Sequence, residues 1–227
     1  MRKKLLIYSF LLLAITSCQS QEYGKDIFDL EKLSLTLNVE KFYKKSMAGS
    51  IRDLNHVEKK TVNEYDVSLY GDRNTIVGIE YDVKSYSPED TVAKFRELTF
   101  SQLEAFTTEK GDLMLMSATG QISYDKVQNT INQLTKTYKE PTVEIQEFSL
   151  FKSYHYTWVL DDRLIQIVSG KKLDFDQPHT ILSEKDKKEI QEIESDNLAQ
   201  THLYICNKAY VNQLKGKLNS GDWSDFK

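Results

Sequence analysis

A helical stripe that stops at a proline and runs straight into three strands constrains this chain most. Val127, Ile131, Leu134 and Tyr138 recur at i, i+4, i+7 and i+11, which is one apolar face of a helix. Ser123 opens that helix. Asp125 puts a negative charge in its first turn, where the helix dipole favours it. Pro141 ends it. β-rich runs follow at 142–150, 154–160 and 164–168, the last two joined through Asp161 and Asp162. A helix with one apolar face needs a sheet face to bury it against, and alternating strands supply one.

A hairpin followed by a helix is read further upstream. Val62 to Tyr70 and Thr75 to Val83 flank the turn residues Gly71-Asp72-Arg73-Asn74 and read as a hairpin. Ser87-Pro88-Glu89-Asp90 is a helix start: Ser87 caps and Pro88 suits the first helical position. Val92, Phe95, Thr99, Leu103 and Phe106 then keep a 3.6-residue period, and Gly111 suits the left-handed C-cap. Leu33, Leu35, Leu37 and Val39 alternate as in a half-buried strand. His202 to Asn207 reads as a strand, and Tyr210, Leu214 and Leu218 as a short closing helix. Ser183 with Asp186 resembles a capping box ahead of Ile190 and Ile193. The expected fold is α+β: an antiparallel sheet covered on one face by two main helices, about 88–110 and 123–138. The order hairpin, helix, then helix, three strands points to two related halves.

The N-terminus carries a different message. Met1-Arg2-Lys3-Lys4 precedes an apolar run from Leu5 to Ile15, then Thr16-Ser17-Cys18. A basic start, a short apolar core and small residues before a cut site make an export signal. A membrane-spanning helix needs roughly 20 apolar residues, more than this run offers. Ile15-Thr16-Ser17-Cys18 resembles the lipobox of bacterial lipoproteins. That resemblance implies cleavage before Cys18, a thioether-linked lipid on its sulfur and acylation of the new amine. Gln19 follows, not the aspartate of inner-membrane retention, so the resemblance implies export and anchoring at the outer membrane. The expected organisation is a signal peptide at 1–17, a lipidated cysteine and tether at 18–30 and one α+β domain at 31–227.

Charge narrows the partners. The whole chain is at −4, and loss of Arg2, Lys3 and Lys4 takes the exported part to −7. An acidic body argues against nucleic acid, which is bound by phosphate-neutralising Lys and Arg. It also argues against a polybasic hold on anionic lipid. Membrane contact is therefore expected through the lipid on Cys18, and the expected partner is another protein. Cys18 and Cys206 are the two cysteines. Cys206 lies in the apolar run Leu203-Tyr204-Ile205-Cys206 and reads as a buried thiol behaving as a small hydrophobe.

No motif for chemistry emerges. His56, His155, His179 and His202 are not at metal-ligand spacing from each other or from a cysteine. Asp174-Phe175-Asp176 lacks the further ligands, glycine and closing glutamate of a calcium loop. Glu80 and Asp82 alternate with Ile79, Tyr81 and Val83 as the solvent side of a strand. There is no Gly-x-Ser-x-Gly elbow and no glycine-rich phosphate loop. No catalytic residue, metal or cofactor is assigned.

What remains is the tyrosine content, 13 in all. Tyr154, Tyr156 and Trp158 share one face of one strand. An aromatic strip of this kind could contact a glycan or a protein partner, because rings supply large area at low entropic cost. The alternative is that Tyr156 and Trp158 are core. Leu134-Thr135-Lys136-Thr137-Tyr138-Lys139-Glu140-Pro141, followed by Trp158 and Leu164-Ile165-Gln166-Ile167-Val168, resembles a helix–Tyr-x-x-Pro–strand pattern of small envelope lipoproteins. Lys139 stands where that pattern usually has glycine. The resemblance implies no activity. A lipid-anchored, non-catalytic binding or accessory protein is the first functional expectation. A glycan or small-ligand binder and an enzyme with a site scattered in sequence are the alternatives.

Overall fold

The computed structural model describes residues 21–68, 70–148, 151–171, 198–218 and 223–227. The expected signal peptide, Cys18, His179, the Asp174–Asp176 segment and the helix expected after Ser183 lie outside these residues. The fold is mixed α and β, mostly strand, around one large antiparallel sheet. Its strands are β2 (Val57–Asn63), β3 (Ile76–Val83), β6 (Gln102–Thr107), β7 (Leu113–Ser123), β8 (Thr142–Phe148), β9 (Phe151–Val159), β10 (Arg163–Lys171) and β11 (Leu198–Asn207). Their order across the sheet is β2-β3-β6-β7-β11-β10-β9-β8. A small three-stranded sheet joins β1 (Phe28–Asp29), β4 (Ala93–Phe95) and β5 (Leu98–Phe100). Helices α1 (Val39–Ala48) and α3 (Tyr124–Tyr138) are the long ones; α2 (Glu64–Val67) and α4 (Val211–Leu214) are single turns.

The large sheet divides into two up-and-down runs of four strands. Helix α1 precedes the first run and α3 the second. The runs meet where β7 lies antiparallel to β11, from Leu198 opposite Ser123 to Cys206 opposite Leu115. β7 is the longest strand, at 11 residues, and is buried from Leu113 to Gly120. A strand apolar on both faces fits a central position between two covered faces.

Both faces are indeed covered. One buried cluster joins Val39, Phe42 and Tyr43 of α1 and Val127, Ile131 and Leu134 of α3 with sheet residues such as Tyr81, Leu103 and Ile165. A second cluster joins Phe106, Leu115, Leu164, Tyr204 and Cys206 with Leu214, Leu218, Trp223 and Phe226 of the C-terminal segment. Consecutive residues of β6, β10 and β11 alternate between the two clusters, as the period-2 geometry of a strand requires.

The expected helix at 88–110 is not formed, and this is the main correction. That stretch makes β4, β5 and β6. Ser87 to Asp90 forms only a turn, in which the Asp90 N–H reaches the Ser87 carbonyl at 3.1 Å. Arg96 then adopts φ 54°, which breaks any helix and lets Ala93 pair with Phe100 and Phe95 with Leu98. The apparent stripe is split: Val92, Phe95 and Leu103 enter one core cluster and Phe106 the other. A run rich in β-branched and aromatic residues satisfies a helical period by chance while preferring strands.

Two smaller corrections concern the N-terminal part. Leu33 to Val39 is not a strand; Asn38 accepts from the Lys41 N–H at 2.8 Å and caps α1, which begins at Val39. Residues expected to tether the body are folded from Glu22 onward, with Tyr23, Phe28 and Leu30 buried. Among the described residues no helix is long and apolar enough to cross a membrane.

Candidate binding site at the edge of the sheet

β8 is one of the two edge strands of the large sheet, and among the described residues nothing pairs with its outer edge. Its register with β9 places Val143 opposite Tyr156 and Ile145 opposite Tyr154. Directly opposed residues share a face, so these four side chains form one patch. Val143 is 48% exposed and Ile145 55%. An edge strand with exposed apolar side chains is a ready template for another chain.

The strip on β9 runs from open to buried. Tyr154 and Tyr156 are half-buried, their rings stacked with centroids 6.4 Å apart. Trp158 is only 2% exposed and sits in the helix-covered core. Its indole N–H donates to the Lys139 carbonyl at 3.1 Å. The structure therefore brings Tyr154 and Tyr156 together and gives Trp158 to the core.

Helix α3 supplies the other wall. Its apolar stripe turns Val127, Ile131 and Leu134 inward. Tyr124 and Gln128 are left at the margin over β9 and β10. Together with Ile131, Tyr154, Tyr156 and Gly170 they line a hollow of about 220 Å³. The Tyr124 hydroxyl donates to the Gly170 carbonyl and ties the start of α3 to the end of β10. Burial, then the neighbouring Tyr154, raises the Tyr156 hydroxyl above the usual tyrosine range. The rings of the site offer flat faces and hydrogen-bonding hydroxyls.

No protein-family model, curated protein or solved structure matches this chain. The geometry of the site itself carries the reading. Among the described residues no group of three or more His, Cys, Asp or Glu is placed to hold a metal ion. The hollow pairs aromatic faces with a carboxamide and an aliphatic wall, the makings of a contact surface.

Sequence reasoning found Tyr154 and Tyr156 through their i, i+2 spacing. It missed Val143, Ile145, Tyr124 and Gln128. The two aliphatics were hidden because apolar residues on a strand read as core unless the strand is known to be an edge. Tyr124 had a weak signal, a large aromatic in the first turn of the helix facing the tyrosine strand. Cys18 lies outside the described residues.

Proposed function

We propose that this chain is a lipid-anchored, non-catalytic binding or accessory protein of the bacterial cell envelope. Lipid on Cys18 would hold it at the outer membrane, and the β8–β9 edge would engage another protein. The observation that carries this reading is the register of β8 on β9. It sets exposed Val143 and Ile145 against Tyr156 and Tyr154 beside a strand edge that is unpaired among the described residues. A protein partner gains main-chain hydrogen bonds along such an edge and side-chain contacts on its face. Both long helices bury their stripes in the same cluster, which supports one helical face on the sheet, with the edge strand beyond its cover.

The test is capture from a detergent extract of the protein's own envelope. Tagged Cys18→Ser protein is compared with the same protein carrying Ile145→Asp and Tyr154→Ala. A stoichiometric partner kept by the first and lost by the second supports the reading. Equal capture by both would move the interface elsewhere.

The hollow lined by Tyr124, Gln128 and Tyr156 favours a second reading, a glycan or small-ligand binder. Thermal shift against a saccharide and metabolite panel separates the two. A ligand that stabilises the parent but not Tyr156→Ala would support the second reading.

A further inference from the structure

The net negative charge of the chain does not extend to its N-terminal end. The Tyr23 N–H donates to the Phe42 carbonyl at 3.0 Å. Its ring packs on Phe42 and Tyr43 with centroids 5.9 and 5.0 Å apart. Glu22 pairs with Lys45 of α1 at 2.6 Å. The chain is thus fastened to α1 four residues after Cys18. At most ~3.5 Å per residue, that leaves a reach of about 14 Å. Whatever surface surrounds Glu22 must then lie at the level of the lipid headgroups once Cys18 is inserted.

That surface is charge-balanced, unlike the acidic remainder of the chain, and it exposes apolar side chains beside lysines. Lys41, Lys44 and Lys45 line a hollow on α1 with Glu22 and Glu40, and Lys25 and Arg52 are exposed nearby in the chain. Ile27 is 51% exposed, Ile51 58% and Leu54 63%. The 49–55 loop belongs to the same end: a Cβ at Gly24 would sit 3.7 Å from Asn55 Nδ2, and Asn55 and Ile27 line one hollow. Several acids here are engaged. Glu22 holds Lys45, Glu40 holds Lys59 at 3.1 Å, and Asp53 accepts the Ser50 N–H at 2.7 Å. Asp26 and Asp90 are exposed acids lining the hollow that Ile27 and Asn55 share. Lys25, Lys41 and Lys44 have no ion pair among the described residues.

We infer that this end is a membrane-contact surface: Ile27, Ile51 and Leu54 enter the bilayer interface, and Lys25, Lys41 and Lys44 meet anionic headgroups. The inference rests on the lipid-anchor reading of Cys18. Inserted apolar side chains and basic residues add their holds to that of the lipid on Cys18 and fix which face meets the bilayer. The surface also sets an orientation. α1 lies over β2, and β8 is the opposite edge of the sheet. Seven strand spacings place that edge roughly 34 Å away.

The test uses the full chain purified from membranes and returned to vesicles of phosphatidylethanolamine and phosphatidylglycerol. Leu54→Cys and Ile145→Cys are labelled separately with a small fluorophore, Cys206 being buried. Lipid carrying a shallow nitroxide is then added. The expected result is at least a twofold loss of emission at position 54 and none at 145. Lys25→Glu, Lys41→Glu and Lys44→Glu together should reduce the loss at 54. Mass analysis of the N-terminal peptide runs in parallel. Lipid on Cys18 with equal emission loss at both positions overturns the contact surface alone. An unmodified Cys18 overturns the anchor and this placement with it.

Discussion

Trp158 donates its indole N–H to the carbonyl of Lys139, the residue at which the chain leaves α3 with φ 73° and ψ −172°. That backbone region is essentially glycine's, and a residue with a Cβ pays about 1–3 kcal/mol to occupy it. The indole holds in place a turn that the local chain resists. Lys139→Gly should therefore raise stability by about 1 kcal/mol, and Trp158→Phe should lower it by about 1–2 kcal/mol through the lost hydrogen bond. Urea unfolding of the two variants against the parent checks both signs.

The C-terminal segment closes the second core, and its aromatics should be costly to remove. Phe226 is fully buried with its ring 5.4 Å from Tyr204, and Trp223 meets Phe106 at 5.9 Å. Phe226→Ala should cost about 3–5 kcal/mol, in the range for large-to-small changes in a core. Thermal and urea denaturation measure it. A loss below about 1 kcal/mol would mean the segment is dispensable to the fold.

Acid should weaken the fold before the carboxylates titrate. Burial holds the His155 imidazole below its usual range, partly offset by the negative charges of Asp225 and Glu144. The unfolded chain then takes up a proton near pH 6.5 that the folded chain refuses. Stability from this group is complete above that pH and falls as pH drops below it, by at most ~1.4 kcal/mol per unit until the folded histidine also protonates. Urea titrations at pH 7.5, 6.5 and 5.5 should show the fall, and His155→Gln should flatten it. An unchanged slope in the variant would assign the effect to another group.

Cys206 should be inert while the protein is folded. It is fully buried, and burial pushes its thiol up to about 12. The thiolate is the reactive form, so iodoacetamide at pH 8 should leave the native thiol intact and alkylate it fully in urea. Mass spectrometry of the intact protein reads both states.

The second run of strands was legible in the sequence, whereas of the first run only the hairpin that ends in β3 was, for a physical reason. Val127, Ile131 and Leu134 form a helix face bounded by Ser123 and Pro141, and Asp161-Asp162 marks a tight turn, so α3 and the strands after it follow from local signals. Between Val92 and Phe106 the local signals conflict. The period is helical, yet Phe95, Leu98 and Phe100 are paired by a turn at Arg96 whose positive φ no residue type announces. β7 was equally obscure, because a strand buried on both faces has no alternation to read. At the candidate site, Tyr154 and Tyr156 were visible through spacing within one strand. Val143, Ile145 and Tyr124 depend on which strand lies at the edge and where α3 sits, and only the tertiary arrangement decides those.

The seam between β7 and β11 also governs the order of assembly. Thr119 meets His202 across 83 residues of chain. A chain made from its N-terminus completes the first run of four strands while the partner of β7 is still to come. Until β11 arrives, β7 is a long apolar strand with an open side, the kind of surface that captures the wrong neighbour. Closing the seam carries a large loop-entropy cost and falls late. Folding of the two runs and their joining are thus separable in time, and the interval between them is when this protein is most exposed to aggregation and most in need of a chaperone.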